Sequence, residues 1–233
     1  MKQIALDFGL AVLPTLTNFH VGQNEAALHH LQAWLDCIVD SGSSLPPNPP
    51  MPTYLWGPGG SGKSHLLKAM REALREQGAA TGWMDASVHN PPEFNAAWAA
   101  VLFDDVHLFT EQQQHTAFNW FVNAQTHWCP VLAAGVFAPV DLKLRDDVRT
   151  RLGWGHIFHL QPLPEAQQRM VLREAADARG IAMGDDVIDF ILARFSRDLS
   201  SLTELLDRLD IYALQTHRSN ITIPLIKSMM ENP

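Results

Sequence analysis

The spacing of apolar residues changes character along this chain. Within 25–39, Ala27, Leu28, Leu31, Leu35 and Ile38 recur every third or fourth position, which predicts a helix with one buried face. Short apolar runs then appear at Tyr54-Leu55-Trp56, 81–85, 100–103, 130–135 and 157–160. Helical spacing returns between them, at Leu66, Leu67, Met70, Ala73 and Leu74 and again over 111–126. Runs with no polar face predict strands covered on both sides, and their alternation with helices predicts an α/β architecture with a parallel sheet. Residues 91–97 read as a short helix or an irregular turn.

From Pro164 the alternation stops. Segments 165–178, 185–195, 199–216 and 224–230 all carry helical spacing, with Gly180 and Gly184 as stops and Asp185 and Pro224 as starts. This predicts a small all-helical bundle after the α/β base, with nothing left for a DNA-reading domain. At the other end Ile4, Leu6 and Phe8 alternate with Gln3, Ala5 and Asp7. Two readings stay open there: a tail docked on its own core, or an extended peptide that offers apolar side chains to a partner's groove. Asn24, ahead of the first helix, reads most simply as its N-cap, although such an approach segment can also lie beside a bound base. The prolines of 41–52 forbid helix and central strand alike and make that stretch an exposed loop.

Composition narrows the function classes. A chain of 233 residues with 46% apolar content can bury a sizeable core. Its formal net charge of −8 argues against a whole-molecule electrostatic grip on DNA or an anionic membrane. Only Cys37 and Cys129 could bond, and they lack metal spacing, so neither a disulfide framework nor a zinc site is implied and a reducing cytoplasm fits. No signal-peptide pattern opens the chain, and no run of about eighteen apolar residues occurs, so a soluble protein is expected. The eleven histidines, His29, His30, His65, His107, His115 and His127 among them, have no metal spacing and read as scattered polar surface. The tryptophans read as packing, with Trp154 stiffening the turn beside Arg151.

Two stretches carry chemistry. Gly57-Pro58-Gly59-Gly60-Ser61-Gly62-Lys63-Ser64-His65 follows a strand-like run and opens a helix, the arrangement of a phosphate-binding loop. Its glycines let successive N–H groups face one anion, the helix adds its positive end, Lys63 adds a charge, and Ser64 offers a hydroxyl to Mg²⁺. About forty residues later the run Ala100-Val101-Leu102-Phe103 ends in Asp104 and Asp105. Carboxylates at the end of a neighbouring strand fall beside the loop. Asp104 is expected to hold Mg²⁺ through water and Asp105 to orient an attacking water. Beyond these, 144–155 sets several arginines among aspartates just before the last strand. They read either as a solvated charge cluster or as the source of a finger that reaches a neighbouring molecule's phosphates.

Taken together, Asn18-Phe19-x-Val21-Gly22, the glycine loop, Leu102-Phe103-Asp104-Asp105, Arg151-Leu152-Gly153-Trp154-Gly155 and the helical C-terminal part resemble the AAA+ region of the bacterial replication initiator DnaA and the regulators related to it. The resemblance covers essentially the whole chain. It implies an AAA+ P-loop NTPase base over 11–162 and a helical lid over 163–233, with ADP or ATP and Mg²⁺ as cofactors. The first ten residues resemble a sliding-clamp-binding peptide, which makes Gln3, Leu6 and Phe8 the clamp contacts. The resemblance further implies that Arg151 acts in trans on ATP bound by DnaA, so that hydrolysis there prevents re-initiation. A stand-alone DnaA-like ATPase such as a helicase loader is the alternative, and a small-molecule P-loop kinase a distant third. Whether the free protein is a monomer or a homodimer stays open.

Two family features are missing. The strand end where AAA+ proteins usually place a polar sensor reads Ala134-Gly135-Val136-Phe137. The lid position of the usual arginine aligns with Ser200, with Arg197 nearby. Loss of an arginine that neutralises phosphoryl charge costs orders of magnitude in rate. The expectation is therefore a nucleotide-holding regulator whose own ATPase is weak or absent.

Overall fold

The computed structural model describes residues 13–40, 49–195, 199–216 and 220–231. Gln3, Leu6 and Phe8 lie outside the described residues, as does Arg197. The chain divides into two compact units, Leu13–Pro162 and a unit whose described part begins at Leu163.

In the first unit the elements run α1 (Glu25–Asp40), β1 (Thr53–Trp56), α2 (Lys63–Glu76), β2 (Thr81–Met84), β3 (Ala100–Phe103), α3 (Glu111–Thr126), β4 (Val131–Gly135), α4 (Asp146–Leu152) and β5 (His156–His159). The strands form one parallel sheet in the order β2-β3-β4-β1-β5. β4 thus lies between β1 and β3, with Thr53 level with Leu132 and Val101 level with Val131. β3 and β4 are buried along their whole length.

Side chains alternate across a strand, so each apolar run feeds two cores. Leu55, Leu102, Leu132 and Ala134 meet Leu31 of α1 and Leu66, Leu67 and Met70 of α2 on one face. Tyr54, Val101, Phe103, Val131 and Ala133 meet Ala117, Trp120, Phe121 and Ala124 of α3 and Leu152 of α4 on the other. Trp120 anchors that second core, stacked with Phe103 and edge-on to Trp98, which agrees with a packing role for the tryptophans. β5 differs from the inner strands. It is an edge, and His156, Ile157 and His159 are exposed.

The second unit comprises α5 (Glu165–Asp177), β6 (Ala182–Met183), α6 (Asp185–Arg194), α7 (Leu199–Thr216), β7 (Asn220–Ile221) and α8 (Ile223–Glu231). It has its own core of Leu172, Ile188, Ile191, Leu206, Leu209 and Ile226. The helices fall where the periodicity puts them. β6 and β7, paired in parallel, were not expected in an all-helical bundle; two-residue strands are too short to show a period. Among the described residues no helix is long and apolar enough to cross a membrane.

Three local differences bear on the site. Residues 91–97 form no helix but an irregular segment with a turn. Residues 146–152, read as a charge cluster or the source of a finger and not as a helix, form the short helix α4, whose Val148 and Leu152 are buried. Asn24 does not cap α1 with its side chain. Its amide donates to the Gln161 carbonyl at 2.8 Å and its carbonyl accepts from the Gln161 N–H at 2.8 Å, so it ties the start of α1 to the segment after β5. Both Gln161 backbone groups find a partner in one buried amide, which outweighs a single cap bond.

Candidate functional site

The glycine loop leaves the carboxyl end of β1, and its backbone turns through conformations that only glycine adopts without strain. Gly60 and Gly62 have φ of +75° and +89°. Gly57 is held by its neighbours as well, since a Cβ there would lie 2.3 Å from the Leu160 carbonyl oxygen. At Gly62 a Cβ would lie 2.5 Å from Cε2 of Phe19. The Asn18-Phe19 segment is therefore packed directly on the loop. The ring of His65, one turn into α2, contacts Phe19 and places Nε2 3.0 Å from the Thr15 carbonyl. That leaves its backbone N–H, in the first helical turn, as the group a phosphate could use.

Lys63 is buried at the mouth of the loop. Its ammonium donates to the carbonyls of Gly57 and Pro58, each at 2.8 Å, and to Ser61 Oγ at 3.3 Å. Burial lowers its pKa, against the pull of Asp105 and Asp104. Asp104 follows β3 and is buried; it accepts hydrogen bonds from Ser64 and from the Asp105 N–H. Burial raises its pKa above the ordinary carboxylate value despite the Ser64 bond, and the adjacent Asp105 adds to the rise. Burial penalises the charged form of such a carboxylate, and a divalent cation beside it would offset that penalty. Asp105 sits in the left-handed region at φ 49°, with its side chain 42% exposed. A non-glycine residue held there at a strand end is the kind of strain that gathers at functional sites.

The neighbouring strand end is β4. Its Gly135 O accepts from Gly57 N–H at 3.3 Å, which places it against the loop. No side chain fits at Gly135: a Cβ would meet the Tyr54 hydroxyl at 2.4 Å and Val106 Cγ2 at 3.1 Å. That hydroxyl donates to the Phe137 carbonyl at 2.8 Å, and burial raises its pKa. The space beside Gly135, where the sequence has no polar residue, is thus filled by a tyrosine hydroxyl whose proton is engaged.

His107 also belongs to this place, which the sequence did not suggest. Its side chain is only 16% exposed, its Nδ1 lies 4.0 Å from Asp105 Oδ1, and its ring meets Phe137 edge-on. At that distance no hydrogen bond exists, and Nδ1 is buried without a partner. Such an orphaned atom costs about 1–3 kcal/mol. Burial lowers the His107 pKa, partly offset by Asp105 and reinforced by Lys63.

Arg151 lies elsewhere. It shares a hollow with Pro50, Pro52, Cys129, Val131 and Trp154, residues that precede or open β1 and β4 or follow α4. These mark the amino ends of the strands, whereas the glycine loop leaves the carboxyl end. The guanidinium lies 4.7 Å from the Phe118 ring centroid and donates to the Asp147 carbonyl at 3.2 Å, while its Nε is buried without a partner. Arg145 pairs with Asp147 and Arg149 with Asp146. Among the described residues Arg151 is the arginine of this cluster without a carboxylate at salt-bridge distance, although its charge helps to lower the Asp147 pKa.

The lid residues 165–230 match the family model described as the Hda lid domain. Ahead of that lid stands the base with the glycine loop and strand order β2-β3-β4-β1-β5. The chain has an AAA+ α/β fold followed by a lid similar to that of Hda. Solved structures share its fold. Domain III of DnaA from Thermotoga maritima superposes with a TM-score of 0.68 at 17% identity, covering 94% of this chain and 95% of that one. AMPPCP-bound DnaA from Aquifex aeolicus gives 0.64 at 20% identity, covering 87% of this chain and 66% of the other, so this AAA+ chain spans about two thirds of that DnaA's length. A RuvB from Thermotoga maritima gives 0.61 at 17%, covering 94% and 72%.

Proposed function

We propose that this AAA+ protein regulates chromosomal replication initiation by holding a nucleotide at its own glycine loop and promoting hydrolysis of the ATP bound by DnaA. The loop and α2 fit an adenine nucleotide. Backbone N–H groups of 57–65 and the positive end of α2 face one anion site. Lys63, now lent to loop carbonyls, is the charge that a polyphosphate would draw off. Ser64 and Asp104 are placed to hold Mg²⁺, which typically takes few protein ligands and completes its shell with phosphate oxygens and water. Bound there, the cation would neutralise charge on the phosphates. The DnaA relative carrying AMPPCP supports an adenine nucleotide as ligand. Asp105 is positioned to orient a water. With Gly135 and the engaged Tyr54 hydroxyl where a sensor would act, this chain's own turnover is expected to be slow.

The observation that carries the trans reading is the placement of Arg151. A guanidinium at the amino ends of the strands stands away from its own loop, and with no carboxylate at salt-bridge distance it would be open to another molecule's phosphates. It would stabilise charge developing on the transferred phosphoryl of DnaA-bound ATP. Gln3, Leu6 and Phe8 would dock the protein on the sliding clamp as an extended peptide.

The test is DnaA-bound ATP hydrolysis reconstituted with clamp-loaded DNA, with and without this protein. Stimulation should appear only with both present and vanish in Arg151→Ala while clamp binding persists; equal stimulation by that variant would reject the finger. Gln3→Ala with Leu6→Ala should abolish clamp capture and spare nucleotide binding, and undiminished capture would reject the docking peptide. Strong turnover by this protein alone, accelerated by single-stranded DNA, would instead indicate a helicase-loader-like ATPase.

A further inference from the structure

We infer that His107 is the nucleotide-state sensor of this protein: its Nδ1 hydrogen-bonds the terminal phosphate of a bound nucleoside triphosphate and so makes the loop distinguish tri- from diphosphate. The inference rests on the nucleotide reading above and adds to it a residue and a specificity.

Three observations converge. First, Nδ1 is a buried polar atom with no partner, within electrostatic reach of Lys63, Asp104 and Asp105. Those are the groups expected around the outer phosphates and the metal, since a P-loop lysine reaches the outermost phosphates. An unsatisfied buried atom 4.0 Å from Asp105 Oδ1, beside such a cluster, calls for a ligand that would satisfy it. Second, β4 cannot supply the sensing group, because its end is Gly135 and any side chain there would collide with the Tyr54 hydroxyl. Third, Val106 closes the same space from the β3 side, with Cγ2 at 3.1 Å from the absent Cβ, and His107 follows it with its ring against Phe137. The sensing position has thus moved one strand over, from β4 to the turn after β3. A neutral imidazole with its proton on Nδ1 donates to a phosphate oxygen, and a diphosphate leaves that donor unmet.

Calorimetry in Mg²⁺ buffer would compare ADP with a non-hydrolysable ATP analogue on the full-length protein. His107→Leu should weaken the triphosphate analogue about tenfold, the scale of one hydrogen bond to a charged group, and leave ADP within about twofold. His107→Asn, which returns an amide near the Nδ1 position, should recover most of the loss, whereas His107→Gln, which reaches toward Nε2, should not. Equal weakening of both nucleotides in the Leu variant, or equal affinities of the Asn and Gln variants for the triphosphate analogue, would overturn the sensor. If the unaltered protein binds neither nucleotide, the parent reading fails and the sensor with it. Binding of both with no response to His107 changes removes the sensor alone.

Discussion

Single residues at the glycine loop are fixed by shape before chemistry. Gly62→Ala would force a left-handed φ on a residue with a Cβ and push that atom into Phe19. The expected cost is about 1–3 kcal/mol, read as a lower urea midpoint. Gly59, by contrast, has nothing within 4 Å of its missing Cβ, so Gly59→Ala should leave the midpoint almost unchanged. Asp104 makes a prediction of opposite sign. Its pKa is raised in the folded protein, so the native state holds its proton more tightly than the unfolded chain does. The stability this gives is complete below the unfolded carboxylate value and is lost as pH rises through the folded one. At neutral pH Asp104→Asn should therefore raise the melting temperature of nucleotide-free protein, with the gain fading in acid, while weakening Mg²⁺-dependent nucleotide binding. A melting temperature that falls at neutral pH would contradict this account. Arg151→Lys should keep a charge yet lose most stimulation of DnaA, because an ammonium cannot reproduce the planar guanidinium that lies against Phe118.

At the scale of elements, α3 shows how one helix start organises a neighbouring loop. Thr110 and Gln113 form a reciprocal capping box, and the Gln113 amide also donates to the carbonyls of Asp85 and Val88, both at 3.0 Å. Thr110→Ala should cost about 1 kcal/mol, and Gln113→Ala more, since the part-buried carbonyls of Asp85 and Val88 would also lose their donor. Urea unfolding distinguishes the two. The long elements were legible from spacing alone, because α1, α2 and α3 each repeat an apolar face over about two turns or more and β3 and β4 are apolar throughout. α4 was not, since among charged neighbours only Val148 and Leu152 face the core. The loop and the two aspartates could be read because chain connectivity fixes their spacing. His107 could not, because what sets it apart is an unmet nitrogen beside Asp105, and only folding creates that. The offset of His107 three places after Asp104 was the one available sign, and it is weak by itself. Tyr54 and Gly135 are likewise joined only by the β1–β4 register.

The whole molecule has three cores, one on each face of the parallel sheet and one among the helices of the lid. A ligand confined to the native base stabilises it by mass action. Nucleotide at about a hundred times its dissociation constant should add about 2.7 kcal/mol, seen as a concentration-dependent rise in melting temperature. Lys63→Ala should abolish that rise. A melting temperature indifferent to millimolar ADP and ATP would remove the foundation of the functional reading.

A loop at the carboxyl ends of the strands and a lone guanidinium at their amino ends give the base a head and a tail. Contacts that join unlike ends cannot be reciprocal, so a pair formed this way leaves one mouth and one finger unmatched. Such a pairing needs no symmetry between its members. If Arg151 serves a neighbour's phosphates as proposed, a protein of this build would close off the end of another's row, or begin one, without lending its own nucleotide to the reaction.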